Sequence, residues 1–173
     1  MDCRIRPETA DDDAQVYEVN RLAFGGEEEG RLVEAMRRTP GHIPELSLVA
    51  EHGGRIIGHI LLSPIVIETA DGPVPTLSLA PMAVHPDFQR RGVGSALVQA
   101  GLEAARRLGH KSVVVLGRAE YYPRFGFVPA RPRGIEPPLE VPDEAFMLIE
   151  LVPGALAGVH GTVRYPPAYD AAL

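Results

Sequence analysis

Residues 76–108 run as strand, glycine turn and helix without a break. Leu77 and Leu79, followed by Met82 and Val84, describe a strand whose alternation slips at Ala80-Pro81. Proline has no N–H to give to a ladder, so Pro81 predicts a bulge or an unpaired edge there. Gln89-Arg90-Arg91-Gly92-Val93-Gly94 then places two glycines after two arginines. Glycines let backbone N–H groups crowd around a ligand, and the helix they open favours an anion. Val93, Ala96, Leu97, Ala100, Gly101, Ala104, Ala105 and Leu108 form one apolar stripe. Arg106 and Arg107 complement the helix C-terminus, and Gly109 ends it.

The rest of the chain reads as more strands and helices around this core. Cys3–Pro7 alternates as a first strand. Thr9 and Asp12 form a capping signal for a helix with Val16, Val19, Ala23 and Phe24 on one face. Gly25-Gly26 separates it from a helix over 27–38 that turns Leu32, Ala35 and Met36 inward. Glu27, Glu28 and Glu29 in its first turn fit a solvated helix start, or an acidic rim for a cationic amine. Strands over 46–51 and 56–68 flank a glycine turn, and a second turn at 70–73 leads into the central strand. Ser112–Leu116, with three valines, predicts a buried strand parallel to it. A short helix or turn over 119–125, interrupted at Pro123, precedes strands at Phe127-Val128 and 145–151. The proline-rich stretch 129–142 between them is expected to run over the surface.

The length of 173 residues suits one domain with a proper core. It is read as residues 1–151, with a C-terminal tail, 152–173, that packs on the domain or reaches a partner. A net charge of −6 argues against a nucleic-acid partner, which needs a basic face. Cys3 is the only cysteine, so an internal disulfide is excluded and a reducing compartment expected. Cys3 itself is expected to be a small buried apolar group. No run reaches the roughly 18 apolar residues of a membrane span, and the first residues lack a signal-peptide core. The expectation is a cytoplasmic protein with no membrane partner. The histidines show no metal-ligand spacing, so no metal site is expected.

Gln89–Gly94 also fits plain helix–strand packing. In its context, however, it resembles motif A of the Gcn5-related N-acetyltransferases (GNAT), Gln/Arg-x-x-Gly-x-Gly/Ala. Tyr121-Tyr122-Pro123-Arg124-Phe125-Gly126-Phe127 resembles the Tyr-x-x-x-Gly-Phe end of that family's motif B. With Leu79–Val84, these segments look most like the bacterial predicted N-acetyltransferases of unassigned substrate in that family. The resemblance implies an α/β GNAT fold: a mixed central sheet with splayed parallel strands and flanking helices. It also implies acetyl-CoA as cosubstrate and an amine acceptor, a small primary amine first and a protein lysine or N-terminus second. Attack would be direct, in a ternary complex. Carried residue by residue, Met82, Ala83 and Val84 would meet the pantetheine arm, with the Met82 N–H at the thioester carbonyl. Gln89, Arg90, Arg91, Gly92, Val93, Gly94 and Ser95 would hold the pyrophosphate. Tyr122 would be the general acid to the CoA thiolate, with Tyr121 an adjacent core aromatic. Two departures stand out: Pro123 within the helix and no asparagine in 115–120.

The general base stays open. Thr76, Ser78 and Ala80 stand where some family members carry Glu or His. His85, Glu51, His59 and His42 remain, as does a chain of waters. Family members often pair as homodimers, but no interface is legible here. Two other classes stay open: a non-catalytic acyl-CoA sensor, and an interaction protein using the proline-rich loop.

Overall fold

The computed structural model describes residues 2–173. The chain forms two compact units. One comprises the residues up to Ser63 together with Ala80–Ala104 and Pro167–Leu173; the other comprises Pro64–Leu79 and Ala105–Pro166.

The first unit begins with β1 (Arg4–Pro7), α1 (Asp13–Phe24) and α2 (Glu28–Arg37). β2 (Ser47–His52) and the first part of β3 (Arg55–Thr69) follow, then the end of β4 (Gly72–Val84) and most of α3 (Val93–Arg107). β1 pairs antiparallel with β2, from Arg4↔Glu51 to Pro7↔Leu48. β2 pairs antiparallel with β3, from Ser47↔Leu61 to His52↔Arg55, with a register shift between Ala50 and Glu51. The capping signal acts as expected: the Asp12 carboxylate accepts from the Thr9 N–H at 2.8 Å. It opens a 3-10 turn, Ala10–Asp12, ahead of α1. Val16 and Val19 are buried, but Phe24 is 47% exposed. Phe24 sits in the last turn of α1, where no further turn exists to cover its ring. In α2, Val33 joins Leu32 and Met36 in the core, while Ala35 is half-buried. Cys3 is half-buried rather than buried.

The α3 stripe is broader than its period suggests. Val98 and Leu102 are buried along with Val93, Leu97 and Gly101, whereas Leu108 lies past the helix end and is 45% exposed. The inward parity of β4 does not slip at Pro81. Leu77, Leu79, Pro81 and Ala83 are all buried, while Met82 and Val84 are half-buried. The Ala80-Pro81 peptide bond is cis.

In the second unit β4 and β5 (Ser112–Leu116) run parallel over Leu77↔Val113 and Ser78↔Val114. Their ladder is confined to these two register pairs, although both strands continue. The Thr76 and Ser112 hydroxyls, both buried, bond to each other at 2.7 Å. β8 (Phe146–Glu150) adds antiparallel to β5, and β6 (Val128–Pro129) adds to β8. The sheet of this unit is therefore mixed.

Two stretches are more ordered than their sequence suggests. The proline-rich stretch carries β7 (Ile135–Glu136) and buries Ala130 and Ile135, so it is not a surface loop throughout. Arg131 ties its ends together: it donates to Glu136, to the Val141 carbonyl and to Asp143. The tail carries β9 (Gly161–Arg164), antiparallel to β3 from Val66↔Arg164 to Thr69↔Gly161 and parallel to β7. Val163, Leu156 and Ile135 share an apolar cluster with Ile65, Ile67 and Phe146. These pairings join residues far apart in sequence, which a local period does not reveal.

A buried polar chain fastens the first unit. Asn20 donates to the Val16 carbonyl (2.9 Å), and its amide lies 3.3 Å from His59 Nδ1. With Nδ1 accepting, the His59 proton sits on Nε2, 3.0 Å from Ser47 Oγ. Ser47 donates to Glu8 (2.6 Å), and Arg37 grips the Glu8 carboxylate at 3.0 and 2.7 Å. Burial raises the Glu8 pKa, but the bonds from Arg37 and Ser47 outweigh it and leave the carboxyl below its usual range. Burial lowers His59 to about 4, against the attraction of Glu8. An unfolded histidine titrates near 6.5, so below that pH the unfolded chain takes a proton that folded His59 refuses. Stability is thus lost as pH falls from about 6.5 toward 4. Between pH 7 and pH 5 this group is expected to remove about 2 kcal/mol. Denaturant titrations at the two pH values should show the loss, and His59→Gln should remove most of it even if stability at pH 7 also drops.

Candidate active site

The joint between β4 and α3 concentrates backbone donors at one point. After Val84 the chain makes a 3-10 turn, Pro86–Phe88, and then turns at Gln89 and Arg90. Arg90 has φ 62, the one positive φ on a non-glycine among the described residues, and Gly92 follows at φ 85. The Gln89 side chain donates from Nε2 to the Val84 carbonyl at 3.0 Å and so ties the turn back to the strand. The Ala96 N–H reaches the Gly92 carbonyl at 3.0 Å. The N–H groups of the preceding helical residues point past the end of the ladder, where the helix field is positive. Val93 is buried and anchors the turn, Gly94 and Ser95 are half-buried, and Arg90 and Arg91 are exposed. Such a turn suits a phosphate group.

The structure brings Met82, Ala83, Val84 and Gln89 to Ser95 together in one unit. Ala83 is buried, so what it can offer a ligand is backbone.

His85 is held as a cap. Its Nδ1 accepts from the Asp87 N–H at 3.1 Å, and its own N–H donates to the Ile57 carbonyl at 2.8 Å. The other base candidates are also committed or enclosed. Glu51 pairs with Arg6 at 3.3 Å, and His59 is fully buried with both ring nitrogens engaged. His42 is half-buried, and burial lowers its pKa. Glu27 accepts from the Tyr17 hydroxyl (3.1 Å) and from Arg31 (3.1 Å), as a solvated helix start would.

Tyr122 lies in the second unit. It opens a 3-10 turn, Tyr122–Phe125, with Pro123 in the first turn. Pro123 therefore initiates this element rather than interrupting one, because a proline there sacrifices no bonded N–H. Tyr122 is 8% exposed and Tyr121 half-buried. The Tyr122 ring meets Tyr121 edge-on at 5.2 Å and Phe127 at 5.6 Å. Arg124 stacks on Tyr121, its Cζ 4.5 Å from the ring centre. Burial, with some help from Tyr121, pushes the Tyr122 hydroxyl well above its ordinary pKa, further from ionisation at neutral pH.

Residues 13–127 match the model of the acetyltransferase (GNAT) family. The chain belongs to that family. It is 39% identical to the uncharacterized N-acetyltransferase YjhQ of Escherichia coli K12 over 77% of this chain and 74% of that one. YhbS of the same organism, also an uncharacterized N-acetyltransferase, is 32% identical over 93% of this chain and 95% of that one. A crystal structure of YhbS in complex with CoA superposes with a TM-score of 0.90 at 28% identity, covering 97% of this chain and 92% of that one. A GNAT family acetyltransferase from Brucella melitensis, in complex with acetyl-CoA, superposes with a TM-score of 0.80 at 30% identity, covering 98% and 99%. The fold is thus the GNAT fold and the activity class N-acetyltransferase.

In this GNAT chain sequence reasoning missed Gly117. A Cβ built there would lie 2.4 Å from Tyr122 Cε2 and 2.9 Å from Cδ2, so the glycine gives the tyrosine ring its place. The readable signal was a glycine directly after the buried strand over 112–116. Gly117→Ala is expected to push the ring aside and cost roughly 1–3 kcal/mol, the scale of an overpacked core. Gly41, where a Cβ meets nothing within 4 Å, is the comparison. Gly41→Ala should stay within about 0.5 kcal/mol in the same chemical denaturation series.

Proposed function

We propose that this chain transfers acetyl from acetyl-CoA to the neutral primary amine of a small molecule, by direct attack in a ternary complex. The observation that carries the reading is the joint Val84–Ser95: its glycine turn is tied to β4 by Gln89 and opens α3. The CoA and acetyl-CoA complexes of the two structural relatives support the choice of cosubstrate. In this reading the backbone of Gln89–Ser95 holds the pyrophosphate, with Arg90 and Arg91 adding charge. Met82, Ala83 and Val84 receive the pantetheine arm along the strand edge. The Met82 N–H faces the thioester carbonyl. A preorganised donor there stabilises the oxyanion of the tetrahedral transition state by about 3 kcal/mol.

Tyr122 supplies the proton for the departing thiolate. A tyrosine hydroxyl is protonated at neutral pH, which fits a donor and not a base. Burial raises the Tyr122 pKa further, so its proton moves only as full charge develops on the sulfur. As the amine nitrogen bonds to the carbonyl carbon, the C–S bond breaks, sulfur takes its electrons and the Tyr122 proton, and the amine sheds its own proton. The engaged states of Glu51, His59 and His85 favour water as the receiver of that proton.

Two measurements test this. Acetyl-CoA titrated calorimetrically into the protein should bind saturably, and Gly94→Asp should abolish the binding through bulk and charge at the turn. With an amine panel, Tyr122→Phe should lower kcat by roughly 10²–10⁴-fold while leaving acetyl-CoA affinity intact. Full activity in Tyr122→Phe would remove the acid role. No acetyl-CoA binding by the folded wild type would remove the reading.

A further inference from the structure

We infer that Arg55, together with Arg91, forms a subsite for a phosphate monoester, which in acetyl-CoA is the 3′-phosphate of the adenosine. The inference rests on acetyl-CoA being the donor. It concerns a residue outside the glycine turn, at the start of β3. Arg55 Nη2 stands 3.3 Å from His85 Nε2, and its Cζ is 5.7 Å from the centre of the Phe88 ring. The Arg91 Cζ is 5.8 Å from the same centre. His52 and His85 both meet that ring edge-on, at 5.9 and 5.7 Å. One aromatic ring thus gathers two guanidinium groups, with Arg90 next in the chain.

The ring face attracts each cation but does not cancel their mutual repulsion. Among the described residues no carboxylate stands within ion-pair distance of Arg55, Arg90 or Arg91. Two carboxylates face this corner from beyond that range: Asp87, with a 79% exposed side chain, 4.0 Å from His85 Nδ1, and Glu18 of α1, which interacts with His85 through charge but is paired with Arg21. In a chain of net charge −6, a knot of arginines with no ion pair of its own favours an anion from outside. The guanidinium fork matches the oxygens of a phosphate bidentately, and a monoester carries close to two charges at neutral pH. Acetyl-CoA offers two kinds of phosphate. Backbone donors of the turn, with Arg90 beside them, suit the pyrophosphate, whose two charges are spread over two phosphates; Arg55, with Arg91 shared between the two groups, suits the monoester, which gathers a similar charge on one phosphate.

The test compares CoA with 3′-dephospho-CoA by calorimetry on the full chain. The wild type should prefer CoA by roughly tenfold or more, the scale of one charge-assisted contact. Arg55→Ala should weaken CoA by about tenfold and 3′-dephospho-CoA by less than about twofold, so the preference collapses; Arg55→Lys should retain part of it. Arg55 is exposed, so these variants should fold, and the wild-type comparison needs no variant at all. Equal affinity of the wild type for the two ligands would overturn the subsite and leave the donor assignment standing. So would an equal loss of both ligands in Arg55→Ala. If the folded wild type bound neither ligand, the donor assignment would fail, and the subsite with it.

Discussion

The close seating of α3 on β3 governs the first unit. A Cβ at Gly58 would lie 2.9 Å from Leu97 Cδ1, 3.1 Å from Val93 Cγ1 and 3.3 Å from the Ala83 carbonyl. Across the same interface, a Cβ at Gly101 would lie 3.0 Å from Leu62 Cδ1. One glycine belongs to the strand and the other to the helix, and each makes room for the other element's side chains. Interiors packed this tightly transmit displacement instead of absorbing it. A methyl group at Gly58 would press on Val93, the first residue of α3, and on Ala83 at the end of β4. The height of the helix N-terminus over the strand is therefore set by contacts in the core, before any ligand arrives. Gln89, bonded to the Val84 carbonyl, then fixes the turn between two ends that are already placed.

The polar chain from Asn20 to Arg37 imposes a different kind of constraint. It draws on α1, α2, β2, β3 and the residue after β1. Each neutral hydrogen bond in such a chain adds only about 0.5–1.5 kcal/mol net, whereas a buried group left unpaired costs about 1–3 kcal/mol. The chain therefore does more to penalise wrong arrangements than to reward the right one. One residue marks its limit: Asn20 Oδ1 is buried with no hydrogen-bond partner, because both amide hydrogens face acceptors and the oxygen is left toward the core.

The sequence was most readable where structure is local. The α3 stripe, the β2–β3 hairpin, the Thr9–Asp12 cap and the limits of β5 all follow from spacing and turn chemistry within a few residues. β7 and β9 were not readable, because a two-residue strand and a tail strand acquire their state from distant partners. Phe24 and Leu108 matched the apolar period but lie at the ends of their helices, where the period no longer guarantees cover. His59 looked like a titratable candidate, and only its burial and partners mark it as structural. Within the candidate site the turn was legible from its glycines and arginines. Gly58, Gly117 and Arg55 were not, since their significance lies in what stands opposite them in space.

That division says something about chemistry as well. On the proposed reading, the cosubstrate is held largely by backbone, so its grip is coded by glycines, a cap and a helix start, which are the signals a sequence displays most openly. Acceptor choice depends on side chains brought together by tertiary packing, and no local pattern fixes those. The state of the ionisable groups points the same way. Burial moves Tyr122 further from ionisation, while His59 and Glu51 are locked into bonds of their own. On that same reading, the N-acetyltransferase aims preorganised donors at the thioester and asks little of a protein base. The supply of neutral amine is then a property of the acceptor and its solvation, so the fold can keep its cosubstrate machinery unchanged while its acceptor varies.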